Sequence, residues 1–198
     1  HNEYKTPEGR LSIPPTMLIS ALTLIPDVSR AVSSDFKSPT DIIFQLGETQ
    51  EHWGGSRYAA AEGLSSGTVP RVHLAQNARL YLRLNEAINA GLIKSCHDCS
   101  EGGLLVAAAE SAIGAGLGVR LDLTPLLFHQ PLPLHALCFA ESPGRFVISA
   151  AATDRVALET LFHDLPCVAI GQVEPDPRLR VHEPTSGNLF EVPLRDLR

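Results

Sequence analysis

The sequence predicts an α+β fold, one mixed β-sheet packed with helices. Three observations carry that reading. Strand-like runs outnumber helical ones, roughly seven or eight to three. The two kinds intermix along the chain instead of occupying separate halves. The 198 residues hold no internal repeat or low-complexity segment. Residues 16–198 therefore read as a single domain, with residues 1–15 as a leading arm from a preceding domain. At 44% hydrophobic and 19% charged residues, a chain of this length can bury a sizeable core.

In chain order, the arm is polar, Lys5–Arg10 reads as a turn, and Pro14-Pro15 bars a helix. Met17–Ile25 is mostly apolar and stops at Pro26, which predicts a buried strand. Asp41–Leu46 predicts a second strand after a polar connection, residues 33–40, that contains Pro39. Residues 47–58 hold the glycine-rich turn Gly54-Gly55-Ser56, and residues 63–68 form a small polar loop. Between Pro70 and Leu92 the apolar residues Leu74, Ala78, Tyr81, Leu82 or Leu84, and Ile88 recur at helical spacing. A short strand is expected at Lys94–His97. A helix apolar nearly all round then covers Leu104–Ile113, ended by Gly114 and Gly116.

Val119–Leu123 alternates as a strand with one wet face does. Residues 124–137 carry Pro125, Pro131 and Pro133, so at most a short helical turn is expected there. Phe146–Ala151 predicts a strong strand, Thr153 caps a helix to Phe162, and Cys167–Val173 predicts another strand. Two last strands, Leu179–His182 and Leu189–Val192, are joined by a turn at residues 185–188.

Composition excludes several functions. Net charge is −6 with pI near 5.7, and the 16 Lys and Arg are scattered, so nucleic acid is not an expected partner. No apolar run reaches the roughly 18 to 20 residues of a membrane span, and residues 1–10 lack the form of a signal peptide. The expected location is cytoplasmic. The first residue is His1 and not Met, so the sequence is expected to be a fragment. The four cysteines, at 96, 99, 138 and 167, do not make a secreted disulfide framework. Cys96 and Cys99 have thiol-redox or zinc spacing, although packed, reduced cysteines are the simpler reading.

The stretch Ser95-Cys-His-Asp-Cys-Ser-Glu-Gly-Gly103 organises the chain, because it joins a strand to the apolar helix. A carboxylate (Asp98), a hydroxyl (Ser100) and the amides of Gly102 and Gly103 at a helix start suit a metal-bound phosphate. Spacing alone gives equal weight to Ser100 capping the helix and the glycines permitting close packing. Gly54-Gly55-Ser56 brings further amides, with Trp53 and Tyr58 beside them, but it lacks the lysine of a P-loop.

Several segments together, and in order, resemble the phosphoribosylformylglycinamidine synthase family, synthetase (subunit II) component. His97-Asp-Cys-Ser-Glu-Gly-Gly103 with the helix that follows and Gly116-Leu-Gly-Val119 is similar to the family's His-Asp-x-Ser-Asp/Glu-Gly-Gly turn and helix. Gly47-Glu-Thr49, Gly54-Gly-Ser56, Asp35-Phe-Lys37, Glu141-Ser-Pro-Gly-Arg-Phe146, Pro14-Pro-Thr16 and Asn2-Glu3 look like the same family. The resemblance covers nearly the whole chain and implies the AIR-synthase-related C-terminal domain. It implies a parent several times longer, built from two copies of a domain pair. That parent uses ATP and glutamine-derived ammonia to convert formylglycinamide ribonucleotide to its amidine in purine biosynthesis.

The resemblance also implies Mg²⁺ and ATP or ADP at an auxiliary site. Asp98 would be the metal ligand and Ser100 a nucleotide contact, as in large-type relatives, with the Gly102 and Gly103 amides as further nucleotide contacts on chemical grounds. Glu141, Arg145, Gly54, Gly55 and Ser56 would line the cleft. A buried Glu141–Arg145 ion pair steadying the Phe146 strand is an equal reading of those two residues. No catalytic residue is expected in this chain, because the family's catalytic histidine and main ATP-binding groups belong to other domains. The isolated fragment is expected to be inactive. Implied partners are the other domains of the parent, a glutaminase and a small accessory subunit. The alternatives are a selenophosphate synthetase, thiamine-phosphate kinase or hydrogenase-maturation relative, a non-catalytic docking domain, and a Cys96/Cys99 redox site.

Overall fold

The computed structural model describes residues 3–13, 16–183 and 187–197. Pro14, Pro15, Asn2 and the Thr185-Ser186 half of the expected last turn lie outside them. The chain divides into two units, His1–Ala31 and Val32–Arg198.

In the first unit, strands β1 (Glu3–Thr6) and β2 (Gly9–Ser12) pair antiparallel across the expected turn, with Glu3 opposite Ser12. A 3-10 turn at Val28–Arg30 follows, where the Asp27 carboxylate accepts from the Ser29 amide at 3.0 Å. The expected strand at Met17–Ile25 is absent. These residues have no regular structure, and Leu18, Leu22 and Leu24 are more than nine-tenths exposed. Among the described residues no strand pairs with the segment, and an apolar run alone cannot satisfy its own N–H and C=O groups as a strand.

The second unit is built on a seven-stranded sheet. Its strands are β3 (Ile42–Leu46), β4 (Ser95–Asp98), β5 (Gly118–Asp122), β6 (Phe146–Ala150), β7 (Cys167–Glu174), β8 (Arg178–Glu183) and β9 (Gly187–Pro193). Their order is β4-β6-β3-β7-β5-β8-β9, and every neighbouring pair is antiparallel except β5 with β8. The sheet is therefore mixed, as expected.

Period-two alternation divides the side chains between two layers. Ile43, Val147, Ile170 and Leu121 face one layer, with α3 (Gly103–Ala115), α4 (Thr124–His129) and α5 (Leu134–Phe139). Phe44, Leu46, Ile148 and Ala150 face the other, with α2 (Leu74–Asn89) and α6 (Arg155–Leu161). A short helix, α1 (Arg57–Ala61), follows the glycine-rich turn.

Four local expectations change. Residues 124–137 hold two helices, because Pro125 sits in the first turn of α4 and Pro133 just before α5, where a missing N–H leaves no hydrogen bond unmade. The buried stripe of α2 is Asn77, Leu80, Leu84 and Ala87, while Leu74 and Leu82 are exposed. Gly114 lies inside α3, and only Gly116, at φ +66°, ends it. Thr153 lies in a 3-10 turn before α6 and does not cap the helix. Among the described residues no helix is long and apolar enough to cross a membrane.

Candidate functional site

Strand register gathers the sequence motifs. Leu46 is opposite Phe146, and Phe146 is opposite Asp98, so β3 ends, β6 starts and β4 ends side by side. The connections attached there are residues 47–56, 140–145 and 99–102, which carry most of the motif residues. One end of the sheet thus brings together segments some 90 positions apart.

Glu141 ties them. Its Oε1 accepts from the Gly102 amide at 2.9 Å and the Arg57 amide at 2.8 Å, at the starts of α3 and α1. A carboxylate at two helix N-termini satisfies orphan donors and favours the local dipoles. The Arg57 side chain reaches Glu101 at 2.7 Å, joining the same two turns on the surface. Ser56 is buried, caps α1 by accepting from the Ala59 amide at 3.1 Å, and donates to the Trp53 carbonyl at 2.9 Å.

Arg145 is the inner tie and is 1% exposed. Its guanidinium donates to Thr49 Oγ1 at 2.6 Å and to the Ala140 carbonyl at 3.0 Å, and its own carbonyl accepts from the Cys99 amide at 2.9 Å. Burial pushes its pKa down, against the Cys99 thiol beside it. The expected Glu141–Arg145 ion pair is not formed. Glu141 turns outward to the two helix starts and Arg145 inward to neutral acceptors. Two further ties had no signal in the sequence. Gln130, at the end of α4, bonds the Thr49 amide at 2.9 Å, and Ser142 accepts from the Gln50 amide at 2.8 Å.

At the central turn, Asp98 is exposed and accepts a hydrogen bond from Ser100 Oγ, which holds its pKa below the usual carboxylate value although partial burial opposes the shift. Asp98 is therefore ionised at neutral pH. Ser100→Ala should raise the Asp98 titration toward the ordinary carboxylate value, measured by NMR of its carboxyl carbon, and an unmoved titration would show that the hydroxyl does not set it. His97 Nε2 lies 3.0 Å from Glu110, and its Nδ1 is 3.5 Å from Asp98, too long for a good hydrogen bond.

The amides expected to face phosphate are engaged within the protein. Gly102 donates to Glu141, Gly103 to the Ser100 carbonyl at 3.2 Å, and Gly54 to the Thr68 carbonyl at 2.9 Å. Gly55, at φ +80°, borders open space. Gly103, at φ +70°, sits where a Cβ would lie 2.6 Å from the Ala140 carbonyl oxygen, so it also permits close packing. Among the described residues no three His, Cys, Asp or Glu side chains converge as a cation cage. A single exposed carboxylate such as Asp98 still suits Mg²⁺ that is carried in by phosphate oxygens and water.

His135 stacks on Trp53 and Tyr58, and Tyr58 on Phe139, beside the glycine-rich turn, while Trp53 and Tyr58 are tilted with centroids 4.6 Å apart. The cysteines lack the character of a redox pair. Burial pushes the Cys96 thiol up to about 12 and the Cys99 thiol up as well, whereas a redox nucleophile needs a lowered value.

Comparison with known proteins adds the following. The family model described as AIR synthase related protein, C-terminal domain, matches residues 38–183. Phosphoribosylformylglycinamidine synthase subunit PurL of Moorella thermoacetica is 36% identical over 148 residues, covering 73% of this chain and 20% of that protein. The PurL subunit of Alkaliphilus metalliredigens is 37% identical over 139 residues, covering 70% and 18%. The chain thus spans about a fifth of the length of the curated relatives it matches. Thermotoga maritima PurL, solved with FGAR, superposes at TM-score 0.74 with 20% identity over 85% of this chain and 29% of that one. The Escherichia coli hydrogenase maturation protein HypE superposes at 0.57 with 18% identity, over 82% and 51%. At these identities the superpositions show the fold alone.

Proposed function

Since the chain belongs to the AIR synthase related protein C-terminal domain family, we propose that it serves as the C-terminal domain of a phosphoribosylformylglycinamidine synthase. The parent would convert formylglycinamide ribonucleotide to formylglycinamidine ribonucleotide with ATP and glutamine-derived ammonia. The observation that carries the reading is the meeting of the three motif-bearing turns at one end of the sheet, tied by Glu141 and Arg145. It gives the order of the motifs a physical meaning, because segments far apart in sequence build one wall. Identity of 36% and 37% to PurL subunits supports the same choice.

In this reading the domain forms a wall of the parent's cleft and supplies no catalytic group. Asp98 would hold Mg²⁺ and Ser100 would contact a nucleotide phosphate. Phosphate would reach the Gly102 amide only by displacing Glu141, and Gly103, Gly54, Gly55 and Ser56 would shape the turns. When bound, the metal would neutralise phosphate charge. Solved T. maritima PurL with ATP or ADP, and the PurLQS assembly from that organism, support nucleotide and partner-subunit binding by the parent. The partners would be the parent's other domains, a glutaminase and a small accessory subunit, in the cytoplasm. Residues 1–15 would be the arm from the preceding domain and 16–198 the domain itself.

A docking domain without nucleotide is the second reading, favoured by the amides already engaged at Gly102, Gly103 and Gly54. Titration of Mg-ADP against the chain, followed by Trp53 fluorescence and calorimetry, separates the two. The nucleotide reading expects saturable binding that Asp98→Ala weakens about tenfold or more. No binding, with Asp98→Ala and Ser100→Ala leaving stability unchanged, selects the docking role. The 198 residues alone should not turn over formylglycinamide ribonucleotide, and measured turnover would overturn the division of labour.

A further inference from the structure

Helix α2 carries a second apolar stripe that stays exposed. Leu74, Ala78, Tyr81, Asn85 and Ile88 recur at alternating steps of four and three residues, the spacing of a coiled-coil seam. These are largely the residues that the sequence periodicity picks out, whereas the domain buries the adjacent stripe of Asn77, Leu80, Leu84 and Ala87. Leu74 is 78% exposed, Leu82 on the flank of the seam 74% and Tyr81 45%. The charged residues of α2 lie off the seam, where Arg79 and Arg83 hold Asp164 at 2.6 and 3.3 Å and Glu86 pairs with Arg83 at 3.6 Å. An exposed helix sector is ordinarily polar and charged, so an uncharged seam along 16 residues marks an interaction surface.

A groove of about 280 Å³ opens on this seam, lined by Tyr81, Leu84, Asn85 and Ile88 with Phe146 beside them. Tyr81 and Phe146 meet edge to face there, with centroids 5.7 Å apart. Four residues at i, i+3, i+4 and i+7 form the hole that receives one side chain of a facing helix in knobs-into-holes packing. The seam also supplies the knob. We infer that α2 pairs antiparallel with α2 of a second copy of this chain, each Tyr81 entering the other's groove. With Tyr81 opposite Asn85 of the second copy, the same two-fold sets Ala78 opposite Ile88 and brings the two Leu82 side chains together on the flank. The seam is thus complementary to itself: small meets large, Asn85 fixes the register, and no like charges meet on it. A single helix pair about 24 Å long buries less than the roughly 1,200 Å² of stable interfaces, so the dimer is weak and reversible. It uses none of the groups at the Asp98 turn and does not depend on the nucleotide reading.

The test is sedimentation equilibrium of the 198-residue chain. A reversible monomer–dimer equilibrium is expected, with a Kd between about 10 μM and 1 mM. Ala78→Glu, at an exposed helix position, should weaken it about tenfold or more by setting a carboxylate in the seam, while the dilute chain keeps its circular dichroism spectrum. Asn85→Lys and Tyr81→Glu should each weaken self-association. An equimolar mixture of the two variants should associate about tenfold more tightly than either alone, because the antiparallel register sets the introduced ammonium against the introduced carboxylate. The inference is overturned if the chain stays monomeric at about 1 mM, if Ala78→Glu self-associates as well as the native chain, or if the mixture associates no better than its components. A monomeric chain would assign the seam to a helix of another protein.

Discussion

Arg145→Ala is expected to destabilise the domain by about 3 kcal/mol or more, read as a fall in denaturant midpoint at unchanged slope. The side chain is fully buried, and its loss strands Thr49 Oγ1 and the Ala140 carbonyl and leaves a large void. Burying a guanidinium without a carboxylate partner is itself costly, so part of its contribution to stability is offset by desolvation. Arg145→Met keeps most of the volume and removes that cost, and should lie well above Arg145→Ala in stability. A loss below about 1 kcal/mol for Arg145→Ala would mean that the turns hold together without this tie.

Gly103→Ala should cost about 3 kcal/mol or more, well beyond Gly116→Ala. Both glycines have left-handed backbones, at φ +70° and +66°, so each pays the same conformational penalty of about 1–2 kcal/mol on gaining a Cβ. They differ in surroundings. At Gly103 the new carbon meets the Ala140 oxygen at 2.6 Å and the Phe139 carbonyl carbon at 2.8 Å, and backbone must move, whereas at Gly116 nothing lies within 4 Å. Equal costs, measured by thermal or chemical unfolding, would show that the close approach of α3 to the end of α5 is not required.

Much of the fold was legible because it rests on local patterns. The alternation in Val119–Leu123, the apolar run at Phe146–Ala151 and the helix on Leu104–Ile113 each carried their element, since burial of the side chains decides it. The misses have physical causes. Prolines at 125 and 133 read as helix breakers, yet at a helix start the missing N–H costs nothing. The apolar segment at Met17–Ile25 read as a strand, but strand formation needs a neighbouring edge that no periodicity reports.

The central turn shows the same division. Its residue types alone determined that a strand would end and an apolar helix begin at Gly102-Gly103, with an ionised carboxylate and a hydroxyl at the junction. Only the tertiary structure decided how those groups are spent. Strand register set Glu141 against the Gly102 and Arg57 amides, drew Arg145 inward to Thr49 and Ala140 instead of outward to Glu141, and left Gln45 with an unmet acceptor over Gly47. The reason is that a hydrogen bond depends on ångström-scale distance between groups as many as 96 positions apart, and sequence carries their types and order but not that distance.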